Sequence, residues 1–178
     1  HLLSRRQRQM CIRDRYNTAF PPAERIPFVI LYRKAKGSNV TFFAVTQGDE
    51  FKGLVYTVWF NDIVFIFYLA VSPDARGNGI GSKILSLVKD KFPNCRLVLN
   101  IEALDENAEN NDERIKRREF YVKNGFFGAG YNVREYSVIY ENMCYSKDLI
   151  PVSKDEYTAL IKAYLGKIMY YFYSKLSE

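Results

Sequence analysis

The sequence predicts an α/β protein, α+β in its segregation, with helices on both faces of a mixed, mostly antiparallel central sheet. Three observations lead there. Residues 63–71, Ile-Val-Phe-Ile-Phe-Tyr-Leu-Ala-Val, carry no charge and favour β structure, which reads as a buried central strand. After a glycine-rich loop, Ile80, Ile84, Leu87 and Val88 fall at helical spacing, with Ser82, Lys83, Ser86, Lys89 and Asp90 on the other side. Residues 129–136 and 137–145 alternate apolar and polar side chains as a hairpin does.

The other elements follow in chain order. Phe28, Leu31, Tyr32 and Ala35 recur at helical spacing before Gly37, so a short helix is expected over 27–36. Residues 40–46 and 51–60 read as strands joined by Gln47-Gly48-Asp49-Glu50, and Asn61-Asp62 makes a tight connection to the central strand. The helix after the glycine loop ends near Phe92-Pro93. Residues 96–101 form a strand that a crossover connection places parallel to the central one. Residues 113–124 contain no Gly or Pro, and Asn124-Gly125 is a helix stop. Ser153-Lys154-Asp155-Glu156 is a capping box opening an amphipathic C-terminal helix, expected over 153–176 with Gly166 as a weak point. Its tail, 167–173, is too apolar to sit comfortably in water; docking on the domain's own sheet, a dimer contact or a wall of the acceptor pocket would each cover it. No repeat or linker divides 16–178, which reads as a single domain.

The chemistry concentrates in Arg76-Gly77-Asn78-Gly79-Ile80-Gly81. Glycines let the backbone approach a ligand closely, and the first N–H groups of the following helix present the favourable end of its dipole to an anion such as pyrophosphate. A nucleotide-binding P-loop requires Gly-Lys-Ser/Thr, whereas Gly81-Ser82-Lys83 has the wrong order. A dinucleotide turn requires a third glycine where Ser82 stands, although Glu102, about twenty residues on, leaves that reading open. Arg76, Gly79 and Gly81 fully match a third pattern, Arg/Gln-x-x-Gly-x-Gly/Ala. A second motif stands some forty residues on: Phe120-Tyr121-Val122-Lys123-Asn124-Gly125-Phe126, at the end of the next helix. With both motifs in this order, the sequence resembles the GNAT superfamily of acyl-CoA-dependent N-acyltransferases.

The resemblance implies transfer of an acetyl group from acetyl-CoA to a primary amine of a small molecule or protein, by direct attack on the thioester. It implies that Arg76, Gly77, Asn78, Gly79, Ile80, Gly81 and Ser82 hold the pyrophosphate, and that the backbone of Leu69, Ala70 and Val71 binds pantetheine. A bulge in this strand would free an N–H near Ala70 or Val71 for the developing oxyanion. Asn100 resembles a position that contacts pantetheine or the helix backbone; a strand-end turn explains it as well. Tyr121 aligns with the general acid that protonates the leaving thiolate, a phenol being protonated at neutral pH.

Proton removal from the acceptor is where the sequence departs from its relatives. Many place a glutamate on the central strand, but 63–71 holds none. Glu102, with Asp105 and Glu106 behind it, is the nearest substitute, acting directly or at the end of a water chain. Residues 102–113 carry six acids and no base, which suits a helix N-terminus and would favour a cationic acceptor, while the arginines behind them, Arg114, Arg117 and Arg118, would face an adenosine phosphate. The missing strand glutamate supports an alternative: a non-catalytic module that binds or senses acyl-CoA.

Composition bounds the rest. At 178 residues the chain suits one domain, and its 13 Phe and 14 Tyr predict an aromatic-rich core. No apolar run reaches the roughly 20 residues of a membrane span, so no membrane partner is expected. Cys11, Cys95 and Cys144 lack paired spacing, which suggests neither disulfides nor a metal site and suits a cytoplasmic location. Residues 1–15 contribute +4 of the formal charge of +6, leaving about +2 elsewhere. No aromatic side chain interleaves with these arginines and no apolar signal segment follows, so nucleic acid is not an expected partner. This stretch also looks like a translated sequencing adaptor on a truncated frame, opening with His rather than Met; it is expected to be non-native, as disorder or an accidental helix, with part of the family's first strand and helix missing. A monomer and a homodimer are both compatible with the sequence.

Overall fold

The computed structural model describes residues 5–22, 25–135, 138–166 and 169–170. Its helices are α1 (Arg5–Ala19), α2 (Phe28–Lys34), α3 (Ile80–Lys91), α4 (Asn111–Lys123) and α5 (Lys154–Leu165). The strands are β1 (Val40–Gln47), β2 (Glu50–Phe60), β3 (Ile63–Val71), β4 (Arg96–Glu102), β5 (Phe127–Glu135) and β6 (Val138–Tyr145). Hydrogen bonding orders them β1-β2-β3-β4-β6-β5. The β1/β2, β4/β6 and β5/β6 pairs are antiparallel and β3/β4 is parallel, as the crossover connection requires. The sheet is therefore mixed and mostly antiparallel. Asn61, at φ 54°, closes the tight β2–β3 connection.

Most boundaries fall within two residues of the sequence expectation. α2 is shorter than 27–36, because β-branched Val29 and Ile30 weaken it and its first donors rest on Pro27, which offers no side-chain cap. β5 starts at Phe127 rather than at residue 129: Phe127 and Gly128 pair with Cys144 and Met143 of β6, and the register then shifts before Asn132, across Gly130 at φ 85°. The expected C-terminal helix is described through Leu165, where Gly166 at φ 77° ends it; residues 167–168 and 171–178 lie outside the described residues.

The chain forms two compact units. The first comprises His1–Val58 and Ile66–Pro93. In it, helices lie on both faces of the strands. Gly53 of β2 faces Ile84 of α3, whereas Tyr56 and Tyr68, of the opposite parity, meet Tyr16 of α1 and Phe42 of β1. Tyr16, 1% exposed, donates its hydroxyl to the Ile26 carbonyl at 2.9 Å, and the Ile26 N–H donates to the Tyr68 hydroxyl at 3.3 Å. Tyr16, Phe20, Phe28, Phe42, Tyr56 and Tyr68 form a chain of edge-on and tilted rings, the aromatic core that the composition predicts.

The second unit comprises Trp59–Phe65 and Asn94–Glu178. Arg96, at the start of β4, ties it together. Its guanidinium meets Asp62 at 2.8 Å and Glu156 at 2.6 Å, and donates to the Pro151 carbonyl at 3.1 Å. Glu156 simultaneously closes the capping box of α5, accepting from the Ser153 N–H at 2.9 Å. The Arg96 bonds, followed by those from Ser153, hold the Glu156 carboxyl down at about 2, and Arg96 depresses Asp62 as well. A depressed carboxyl contributes stability that is complete above its ordinary value, near 4.5, and is lost as pH falls toward about 2. Thermal unfolding measured from pH 6 downward is therefore expected to show a steep acid limb in the wild type and a shallow one in Arg96→Met. Equal limbs would refute this account.

Candidate active site

The glycine loop belongs to the first unit, and its geometry follows from the residues before it. Ser72 ends β3 by donating its N–H to the Lys52 carbonyl at 2.9 Å, and a single 3-10 turn, Pro73–Ala75, leads to Arg76. Gly77 and Gly79 then adopt φ 77° and 73°, a left-handed region that a Cβ disfavours. Gly79 is the N-cap of α3, and no side chain caps the helix. The first intrahelical bond runs from the Lys83 N–H to the Gly79 carbonyl at 3.0 Å. The N–H groups of Ile80, Gly81 and Ser82 therefore have no acceptor within the helix, and open space lies above Gly77 and Gly79. This is a cradle for an anion. The residues present fit the pyrophosphate of coenzyme A.

Leu69, Ala70 and Val71 close β3 in the same unit. The β3/β4 ladder runs only from Ile63↔Arg96 to Phe65↔Val98, so main-chain groups further along β3 stay outside it. The alternation of β3 also breaks. Phe67 and Tyr68 are consecutive, yet their rings lie 6.3 and 6.2 Å from that of Tyr56 and 4.9 Å from each other. Neighbours in a regular strand point to opposite faces, so a local distortion sits here, just before Ala70 and Val71. The Ala70 carbonyl packs against Gly53, where a Cβ would lie only 2.6 Å from it. Only glycine permits that approach.

Asn100, Glu102 and Tyr121 stand in the second unit. α4 ends in a Schellman motif: the Gly125 N–H meets the Val122 carbonyl at 2.9 Å and the Phe126 N–H meets the Tyr121 carbonyl at 3.0 Å, with Gly125 at φ 80°. The apolar contact of that motif is the Tyr121–Phe126 ring pair, 5.6 Å apart. The spacing Tyr-x-x-x-Gly-Phe is thus the spacing of a helix cap, and it fixes the tyrosine. Phe120 packs edge-on to the same ring at 5.1 Å. The residue keeps partial accessibility, but its phenol is desolvated, which pushes the pKa up to about 12 against a smaller opposing pull from Arg117. Among the described residues the Tyr121 hydroxyl has no hydrogen-bond partner.

Asn100 and Glu102 are engaged within the protein. Asn100 donates its amide to the Tyr157 hydroxyl at 2.8 Å and accepts from the Asn142 amide at 2.8 Å, which points its side chain at α5. Glu102 pairs with Arg114 at 3.3 Å and Arg117 at 2.8 Å, so both carboxylate oxygens already hold a cation. Arg114 also donates to the Ala103 carbonyl at 2.7 Å, and Arg118 pairs with Glu141 at 2.8 Å. These arginines stitch α4 to its own unit. Sequence reasoning missed Asn142 and Gly53, whose importance lies in what packs opposite. Among the described residues no group of three or more His, Cys, Asp or Glu side chains forms a metal site, and no helix is long and apolar enough to cross a membrane.

The comparisons agree with the geometry. A family model described as "Acetyltransferase (GNAT) domain" matches residues 38–126, which include both motifs. A GNAT-family protein of Bacteroides thetaiotaomicron, named as an acetyltransferase, superposes with a TM-score of 0.69 at 18% identity, over 96% of each chain. Arabidopsis thaliana Naa50, solved with the bisubstrate analogue CoA-Ac-MVNAL, gives 0.59 at 23% identity over 80% of this chain and 95% of that one. YjbC of Bacillus subtilis (strain 168), also named as an acetyltransferase, is 36% identical over 67 residues, 38% of this chain and about a third of that protein. An uncapped glycine-loop helix, a tyrosine set by a Schellman cap and a family match spanning both place this chain in the GNAT acetyltransferase family.

Proposed function

We propose that the chain is an N-acetyltransferase that moves acetyl from acetyl-CoA to a primary amine of a small molecule or protein. The observation that carries this reading is the uncapped N-terminus of α3, with three main-chain donors free behind two left-handed glycines. When bound, the coenzyme supplies the thioester. The chain's residues do the rest. Amides of 77–82 hold the pyrophosphate, Arg76 adds charge, and the main chain of Leu69, Ala70 and Val71 offers donors and acceptors to pantetheine beyond the end of the β3/β4 ladder. The Tyr121 hydroxyl, protonated and without a hydrogen-bond partner among the described residues, gives its proton to the leaving sulfur. Proton removal from the acceptor runs through water to a carboxylate, with Glu102 as the assigned terminus; Asn100 supports this region by holding Tyr157.

A non-catalytic acyl-CoA module is the second reading. It is favoured by the lack of a carboxylate on β3 and by the two arginines on Glu102. One experiment separates them. Coenzyme A at a hundredfold excess over its dissociation constant is expected to stabilise the protein by about 2.7 kcal/mol in either case. Only an enzyme releases free thiol from acetyl-CoA when a panel of primary amines is added. Stabilisation without thiol release selects the binder; absence of stabilisation refutes both.

A further inference from the structure

β1 is one edge of the sheet, and among the described residues its main chain bonds only to β2. The N–H and C=O groups that alternate residues of an edge strand turn outward are a template for another strand, and folded proteins blunt such edges with charge, proline, bulges or cover. The opposite edge, β5, is blunted: its register with β6 shifts across Gly130, at φ 85°, and Arg134 and Glu135 end it. β1 has none of these devices. Its sequence, Val-Thr-Phe-Phe-Ala-Val-Thr-Gln, holds no charge, glycine or proline, and the extra residue at its one register shift, Lys52, belongs to β2. Phe43 stands 38% exposed at its middle. α2, tied to β1 by the Phe28–Phe42 ring pair at 6.0 Å, leaves Val29 64% exposed. The two ends of the strand are flanked by opposite charge: Arg33, Lys34 and Lys36 precede it, and Asp49 and Glu50 follow it across the Gly48 turn.

We propose that two copies of this chain join β1 to β1, antiparallel, about a two-fold axis at Phe43. Facing residues of an antiparallel pair share a face of the sheet, so the axis passes through a residue rather than between two. Centred on Phe43, the pairing sets that ring against its own copy, Phe42 against Ala44 and Thr41 against Val45, which are aromatic and β-branched contacts with no charge among them. Antiparallel order also brings the basic flank of each strand to the acidic flank of the other, twice over, whereas parallel order would set like against like. Glu50 is held by Lys52 of its own copy at 2.7 Å, so Asp49 is the place to test that match. The same surface serves both partners and each edge is consumed, so assembly stops at two.

Sedimentation equilibrium of the full chain at about 1 to 100 μM, the range of modest affinities, tests this. The wild type is expected to dimerise as concentration rises. Phe43→Lys puts two ammonium groups face to face across the axis and should weaken the dimer about a hundredfold or more, with circular dichroism unchanged. Lys36→Glu and Asp49→Lys should each weaken it about three- to tenfold at low salt, and the double variant, which exchanges the two signs, should return to within about twofold of the wild type. A monomer throughout, a dimer that Phe43→Lys leaves intact, or a series of larger species would overturn the proposal, as would additive losses in the double variant. Should Phe43→Lys fail to fold, the charge exchange decides by itself.

Discussion

Tyr121→Phe is expected to lower turnover about a hundredfold while coenzyme A affinity stays within about twofold. The substitution removes one oxygen and little else. The ring contacts with Phe120 and Phe126 are made by carbon atoms, and the cap of α4 is made by main-chain groups, so both persist. What disappears is a proton held on oxygen by desolvation, with a pKa near 12. Such a phenol is fully protonated across the physiological range, so its proton is in place when the carbon–sulfur bond breaks and the thiolate departs. The same shift makes a stability prediction. Because the folded-state value lies above the ordinary one near 10, the favourable contribution is complete below pH 10 and is lost as pH rises through about 12; the Phe variant lacks that alkaline loss. Turnover unchanged by the substitution would reduce Tyr121 to a packing residue.

Gly53→Ala is expected to cost about 3 kcal/mol of stability, the upper end for overpacking. The added Cβ would sit 2.6 Å from the Ala70 carbonyl oxygen, a main-chain atom, and 3.1 Å from Ile84 Cδ1. A flexible side-chain tip would yield cheaply; a carbonyl held in a strand does not. β2 and the end of β3 must separate, and Ala70 sits two residues before Ser72, whose N–H anchors β3 to Lys52. Urea unfolding should therefore show the loss in the midpoint, and coenzyme A affinity should fall with it. A change within about 0.5 kcal/mol, the range of neutral surface substitutions, would refute the close-approach account.

The two sequence motifs were legible because each encodes a local demand of the main chain. Gly77, Gly79 and Gly125 occupy left-handed φ values that other residues resist, and Tyr121 and Phe126 stand at the separation that a Schellman cap brings together. Strand and helix positions followed from period, and the capping box from Ser153 and Glu156. The side chains of Asn100 and Glu102 were harder to read. Their partners, Tyr157, Asn142, Arg114 and Arg117, lie 57, 42, 12 and 15 residues away, and no spacing rule reaches that far. The bulge in β2, where the β1 register jumps from Val45↔Gly53 to Thr46↔Phe51 and leaves Lys52 as an extra residue, was equally hidden, since only that pairing exposes it.

The polar contacts beneath α5 all run one way. Cys144 Sγ donates to Asn142 Oδ1 at 3.8 Å, Asn142 to Asn100 at 2.8 Å, and Asn100 to the Tyr157 oxygen at 2.8 Å. Flipping Asn142 alone would set its oxygen against that of Asn100, and flipping Asn100 alone would set its nitrogen against that of Asn142, so the orientation of each amide dictates the other. Greasy surfaces let a helix roll about its own axis, whereas this relay admits one azimuth for α5.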